Sequence, residues 1–297
     1  MAVKTMQATL NGQTYNLTLN TSTGKYEATI TAPSTSSYKQ SGHYYPMSVS
    51  ATDDAGNTTT VNTSTATIGD SLKLVVKETT PPAITVTSPT ANQTLTNNKP
   101  TIAFTVTDSD SGVNADTISV TIDGTKYTSG INKTAITNGY SCTYVPDTAL
   151  SDGSHTVTVA ATDNDGNTKT ATAVTFKIDT VPPALSVTSP VDGLVTNQST
   201  VTVTGTTNDA TSSPVTLTVN GEAVTVTSSG TFSHVVTLTS GTNTITVIAT
   251  DAAGKSTTVT RTVTYNTSAP VISAVTITPN PVNTGNVFTI SVTATDE

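Results

Sequence analysis

The chain is predicted to be all-β, a row of tandem β-sandwich units, and three observations predict it. One phrase is used three times: Ala51-Thr52-Asp53-Asp54-Ala55-Gly56-Asn57-Thr58, Ala161-Thr162-Asp163-Asn164-Asp165-Gly166-Asn167-Thr168 and Ala249-Thr250-Asp251-Ala252-Ala253-Gly254-Lys255-Ser256. Its leading aspartates stand 110 and 88 residues apart, the length of a small sandwich and too long for a solenoid repeat. Ahead of each phrase, apolar residues alternate with polar ones, which is the period of a strand with one buried face. Finally, 34% of the residues are hydrophobic, 4% are aromatic and none is Trp, so the cores must be built from small β-branched side chains. No segment of useful length has a helical period.

In chain order, a first unit over 1–78 opens on a strand with Met6, Ala8 and Leu10 on one face, leading into Asn11-Gly12. Asn-Gly and Asp-Gly tolerate the positive φ of a type I′ hairpin turn, and the same signal returns at Asp123-Gly124 and Asn220-Gly221. The strands entering those turns carry Ile118, Val120 and Ile122, then Val215, Leu217 and Val219. The strand before each Asp phrase carries Met47, Val49 and Ala51; Val157, Val159 and Ala161; or Ile245, Val247 and Ala249. Pro81-Pro82 and Pro182-Pro183 fix φ and make short, stiff joints, bounding sandwiches at 79–180 and 181–267. Residues 268–297 begin a further unit with two strands, one holding Val275 and Ile277, the other Phe288, Ile290 and Val292.

On these residues, the Asp-x-Ala-Gly-Asn phrase, the Pro-Pro joint and the Asx-Gly hairpin, nearly the whole chain resembles tandem bacterial immunoglobulin-like (Big-type) repeats. The resemblance implies immunoglobulin-like sandwiches, found in surface adhesins, in accessory modules of secreted enzymes and in phage tail proteins. The Met-initiated start has no apolar run of signal-peptide length, and looks most like the phage and prophage members. The expected location is therefore a virion, a phage tail made in the host cytoplasm, with an extracellular or cell-surface setting as the alternative. No segment is long enough to insert in a membrane.

The first unit lacks residues for its first two strands, while 268–297 supplies just two. The ends read as complementary parts of one sandwich. Strand addition of Val275, Ile277, Phe288, Ile290 and Val292 to the sheet of Met6, Ala8 and Leu10 would join molecules head to tail. Burying those five side chains contributes on the order of 8–15 kcal/mol before ordering costs. Docking on another virion protein, or a chain that simply stops there, are the other two readings.

Candidate sites are few. Asp108, Asp110 and Asp116 supply the hard oxygen ligands of calcium but lack EF-hand spacing, and the competing reading is a solvated turn; no other cofactor is expected. Tyr44 and Tyr45, beside Tyr38 and His43, could stack on a host-surface glycan or fill the core. His43, His155 and His234 fall in different repeats, and His155 aligns with Tyr45 and Asn243 at a strand start, where a polar side chain ties down the preceding corner. Cys142 is expected to be a buried, inert thiol. No carboxylate pair, phosphate loop or Cys/His cluster recurs at catalytic or metal spacing. A net charge of −8 with 12 Lys plus Arg and no basic cluster argues against nucleic acid. The expectation is a non-enzymatic structural or adhesive component of a phage tail or virion; the alternative is a bacterial surface adhesin or carbohydrate-binding module, and a third class is an accessory module of a secreted hydrolase.

Overall fold

The computed structural model describes residues 2–295; Met1, Asp296 and Glu297, at the ends of the outer units, lie outside the described residues. The chain forms two compact units, dividing between Ile178 and Asp179. Strands dominate both, and no α-helix occurs among the described residues.

The first compact unit opens with β1 (Val3–Leu10), β2 (Gln13–Asn16), β3 (Thr18–Asn20), β4 (Lys25–Glu27), β5 (Tyr45–Asp53), β6 (Thr58–Asn62) and β7 (Lys73–Leu74). One sheet runs β2-β1-β5-β6, with β7 also on β5; β3 and β4 pair only with each other. The alternating faces expected of β1 and β5 meet across the ladder, Leu10 opposite Met47, Ala8 opposite Val49 and Met6 opposite Ala51. Yet only Ala8, Leu10 and Tyr45 among the apolar side chains of these strands are fully buried. Met6, Met47, Val49 and Ala51 remain half-buried, because little stands over them.

The second sandwich follows: β8 (Ala83–Ser88), β9 (Thr94–Leu95), β10 (Ile102–Thr107), β11 (Val113–Ile122), β12 (Thr125–Tyr127), β13 (Asn132–Ile136), β14 (Gly139–Tyr144), β15 (Gly153–Asp163), β16 (Thr168–Thr170) and β17 (Val174–Ile178). A sheet of order β13-β14-β10-β8 accompanies one of order β12-β11-β15-β17-β9, with β16 on β15. Ile102, Phe104 and Val106 from the first pack with Ile118, Val120, Val157, Val159 and Phe176 from the second. Tyr127 and Tyr144 stack at 5.1 Å in the same core, so these aromatics fill the sandwich.

The second compact unit contains β18 (Ala184–Ser189), β19 (Leu194–Thr196), β20 (Thr200–Asn208), β21 (Thr216–Val219), β22 (Glu222–Val224), β23 (Thr231–Thr237), β24 (Gly241–Thr250) and β25 (Ser256–Tyr265). Its sheets are β18-β20-β23 and β19-β25-β24-β21-β22, and Val203, Leu217, Val219, Phe232, Ile245, Val247 and Val263 form the core. It ends in a two-stranded sheet, β26 (Val271–Thr278) with β27 (Thr289–Thr295), whose side chains are exposed on both faces. The three Asx-Gly turns have φ of 51° and 76° at Asn11-Gly12, 47° and 83° at Asp123-Gly124, and 49° and 85° at Asn220-Gly221, as a type I′ turn requires.

Candidate functional site

Each Asp phrase closes a strand by folding around its aspartate. Asp53 Oδ1 accepts the backbone N–H groups of Ala55 and Asn57, while Asn57 Nδ2 donates to Asp53 Oδ2 at 2.9 Å. Asp163 is held in the same way by Asn167, whose N–H reaches Oδ1 at 2.8 Å and whose Nδ2 reaches Oδ2 at 2.7 Å. In the third phrase lysine replaces asparagine. The Lys255 N–H still donates to Asp251 Oδ1 at 2.9 Å, but no amide reaches Oδ2, which is buried without a partner.

Folding gathers these aspartates with acids distant in sequence. Glu78, Asp108 and Asp163 each bring a carboxylate oxygen to within 4.8 Å of the other two, and Asp179, Asp209 and Asp251 do the same in the second compact unit. The sets are equivalent. Glu78 and Asp179 precede the Pro-Pro joints, Asp108 and Asp209 follow β10 and β20, and Asp163 and Asp251 lead the Asp phrases. In the first set, Asp108 Oδ1 accepts N–H from Asp110 and Gly112, and Glu78 Oε1 accepts the Ser111 N–H at 2.6 Å. Burial, with the Asp108 and Asp110 carboxylates nearby, holds Glu78 above the usual carboxylate range. Burial and the neighbouring Asp209 and Asp251 charges do the same to Asp179.

The expected calcium set is corrected by this geometry. Of Asp108, Asp110 and Asp116, only Asp108 enters a cluster. Asp110 instead accepts the Ser36 N–H on both carboxylate oxygens, at 3.0 and 3.1 Å, with Lys39 Nζ at 3.9 Å. It fastens the Thr35–Lys39 loop to the second sandwich, and Asp165 holds the segment before the Pro-Pro joint there by accepting the Glu78 N–H at 2.9 Å. Asp116 is exposed, so its carboxylate stays hydrated. Glu78, Asp179 and Asp209 escaped the sequence reading, which took Asp163 and Asp251 only as leads of the Asp phrase; the shared placement of these acids against the Pro-Pro joint and the Asp phrase in both repeats was the available signal.

Tyr45 is also corrected as a glycan-stacking residue: it is buried, and its hydroxyl donates to the Thr35 carbonyl at 3.2 Å. Tyr44 is half-buried, with Lys73 Nζ 5.3 Å from its ring centroid, and the neighbouring Tyr38 and His43 rings lie 4.5 Å apart. His155 locks a corner. Its Nδ1 lies 2.6 Å from Asp123 Oδ2, its Nε2 lies 2.7 Å from the Ser151 carbonyl, and its ring rests on Phe176. Asn243, at the equivalent position, bonds back to Thr239 through both side-chain atoms. Cys142 is buried, and burial pushes its thiol above the ordinary range.

The residues expected to drive assembly fall into two groups. Met6, Ala8 and Leu10 lie on β1, inside the thinly covered first sheet. Val275 stands opposite Val292 and Ile277 opposite Ile290, so those four share one face of β26–β27, with Phe288 just ahead of β27. All five are 44–57% exposed.

The family comparisons agree with this architecture. Residues 79–180 match the bacterial Ig-like domain family, and residues 183–267 match domain B of glucodextranase. No curated protein matches the chain. Among solved structures, the chain is similar to the fibronectin(III)-like modules of Clostridium thermocellum CbhA, at 19% identity over 62% of this chain and 94% of that one, with a TM-score of 0.35. It is also similar to titin domains I67–I69, at 12% identity over 89% and 88% of the two chains, with a TM-score of 0.46. The chain is thus a tandem array of immunoglobulin-like β-sandwiches, of which residues 79–180 match the bacterial Ig-like domain family.

Proposed function

We propose that this chain is a non-enzymatic structural or adhesive module, a component of a phage tail or related virion that assembles head to tail by strand addition. One observation carries the reading: among the described residues β3–β4 has no neighbours where β10 and β8 stand in the second sandwich, and β26–β27 matches those two strands. In the second sandwich, β13 and β14 continue into β10 and then β8. In the first, the corresponding β3 and β4 form a sheet by themselves. Adding β27 beside β4, with β26 outside it, restores the four-stranded order and sets Val275, Ile277, Ile290 and Val292 over the half-buried Met6, Met47 and Val49. A two-stranded sheet alone is marginal in water, so its exposed apolar face favours a cover. The phage setting rests on the sequence resemblance.

The test is light scattering over a concentration series, on the intact chain and on one lacking residues 269–297. The expected result is an oligomer whose mass rises with concentration for the intact chain and a monomer for the shortened one. Two monomers of equal stability would overturn strand addition.

A second reading, a cell-surface adhesin or carbohydrate-binding module, is favoured by the glucodextranase domain B match and by a groove of about 660 Å³ in that same sandwich. Ser186, Thr206, Asn208, Asp209, Thr227 and Ser229 line the groove with polar atoms, and no aromatic side chain is among its lining residues. Glycan-array binding by a monomeric chain would favour it, while incorporation into purified particles would exclude it as the main role.

A further inference from the structure

We infer that Asp179, Asp209 and Asp251 form a calcium site in the second compact unit. Each acid spends one oxygen on its own turn: Asp179 Oδ1 accepts the Val181 N–H at 3.3 Å, Asp209 Oδ1 accepts those of Thr211 and Ser212 at 2.8 and 2.6 Å, and Asp251 Oδ1 accepts that of Lys255. What remains is unsatisfied. Asp179 is fully buried and Asp251 is 5% exposed, yet Oδ2 of each has no hydrogen-bond partner. The Ser212 hydroxyl, three residues after Asp209, buried and bonded through its backbone to both Asp209 and Ala252, stands near Asp179 without closing a full hydrogen bond.

Three carboxylates within 4.8 Å of one another repel strongly, and buried charges persist only when paired or bound to a cation. Among the described residues no ion pair joins any of the three to Lys or Arg. The donors are hard oxygens with neither His nor Cys among them, brought together from three loops. That combination suits calcium, which takes six to eight oxygens at flexible geometry, better than magnesium or zinc.

The equivalent acids of the second sandwich sharpen the argument. There Asn167 supplies the amide that saturates Asp163 Oδ2, and among the described residues neither Asp163 nor Asp108 leaves a buried carboxylate oxygen without a partner, although the Ser111 hydroxyl, equivalent to Ser212, does. Substituting lysine for that asparagine in the third repeat removes the donor and opens the seat.

Calorimetric titration of the full, chelator-stripped chain with calcium chloride, with thermal melts alongside, tests the assignment. Calcium at about a hundredfold above its dissociation constant is expected to raise the melting midpoint of the second unit by on the order of 10 °C. Asp179→Asn and Asp251→Asn, which keep the shape and the Oδ1 contacts, should each weaken calcium affinity at least about tenfold, whereas Asp108→Asn should leave it within about twofold. Absence of both heat and melting shift in the unmutated chain would overturn the site. So would an unchanged response in the Asp179→Asn, Asp251→Asn double variant, or a magnesium response as large as that to calcium.

Discussion

The second strand of a sandwich occurs three times in this chain, and one of its inward positions has three different fates. In β10 the residue is Phe104, 1% exposed, opposite the small Cys142 on β14. In β20 the corresponding residue is Gly205, opposite Phe232 on β23, whose ring occupies the space a side chain at Gly205 would need. In β27 it is Val292, 54% exposed, with nothing but its own hairpin for company. The first two sites conserve volume by exchanging a large and a small residue across the ladder. The third shows that the same alternation buries nothing until a second layer exists, so pattern specifies the face and the neighbouring sheet supplies the energy.

The largest effect that would break this comparison is at Phe104. Phe104→Ala should cost about 3–5 kcal/mol in denaturant unfolding, as a cavity in a closed core, while Val292→Ala in dilute chain should cost under about 0.5 kcal/mol. A Val292→Ala cost that grew with protein concentration would mean that β27 is covered in solution. Next comes Gly205→Ala, where an added methyl meets the Ser186 carbonyl and the Phe232 ring; overpacking predicts a loss of about 1–3 kcal/mol, read from the same unfolding curves. On the open hairpin, Ile277→Lys should abolish concentration-dependent association in light scattering without lowering the melting midpoint of the monomer, because the side chain has no packed neighbours to lose.

A pH-dependent effect belongs to the corner that closes the second sandwich. Burial opposes the charge on His155, but Asp123 and the Ser151 carbonyl hold its pKa above the ordinary imidazole value; burial likewise opposes ionisation of Asp123, and His155 and the Thr156 N–H hold it below the carboxylate range. The histidine therefore stabilises fully below about pH 6.5 and less as pH rises through its folded pKa, and the aspartate stabilises above about pH 4 and less as pH falls through its own. Melts across pH should place the pair's full contribution between those limits, with His155→Gln removing about 1–2 kcal/mol there and flattening the profile.

The fold was legible because its signals are local. Period-two runs, Asx-Gly turns and the Asp phrase each lie within a few residues, and β1 to β5 register follows once the faces are assigned. The acidic clusters were not, since each acid sits on a different loop and reads alone as a turn residue. Asp108, Asp110 and Asp116 looked like one site because they are near in sequence, but β-strand backbone carries close residues apart and loops at one end of a sandwich bring remote ones together. Tyr45 misled for a related reason: its hydroxyl needed a buried partner, Thr35, that nothing local announces.

The hairpin β26–β27 also bears on how the chain behaves while it waits for a cover. Natural edge strands discourage mispairing with an interior lysine, a proline or a bulge, and the eight and seven residues of these strands contain neither charge nor proline. A lone bulge near Ile272 is the only irregularity in their ladder. Two uncovered copies would thus meet no electrostatic barrier to pairing edge on edge, and supplying soluble chain becomes a matter of timing, with the correct partner required before the wrong one is encountered.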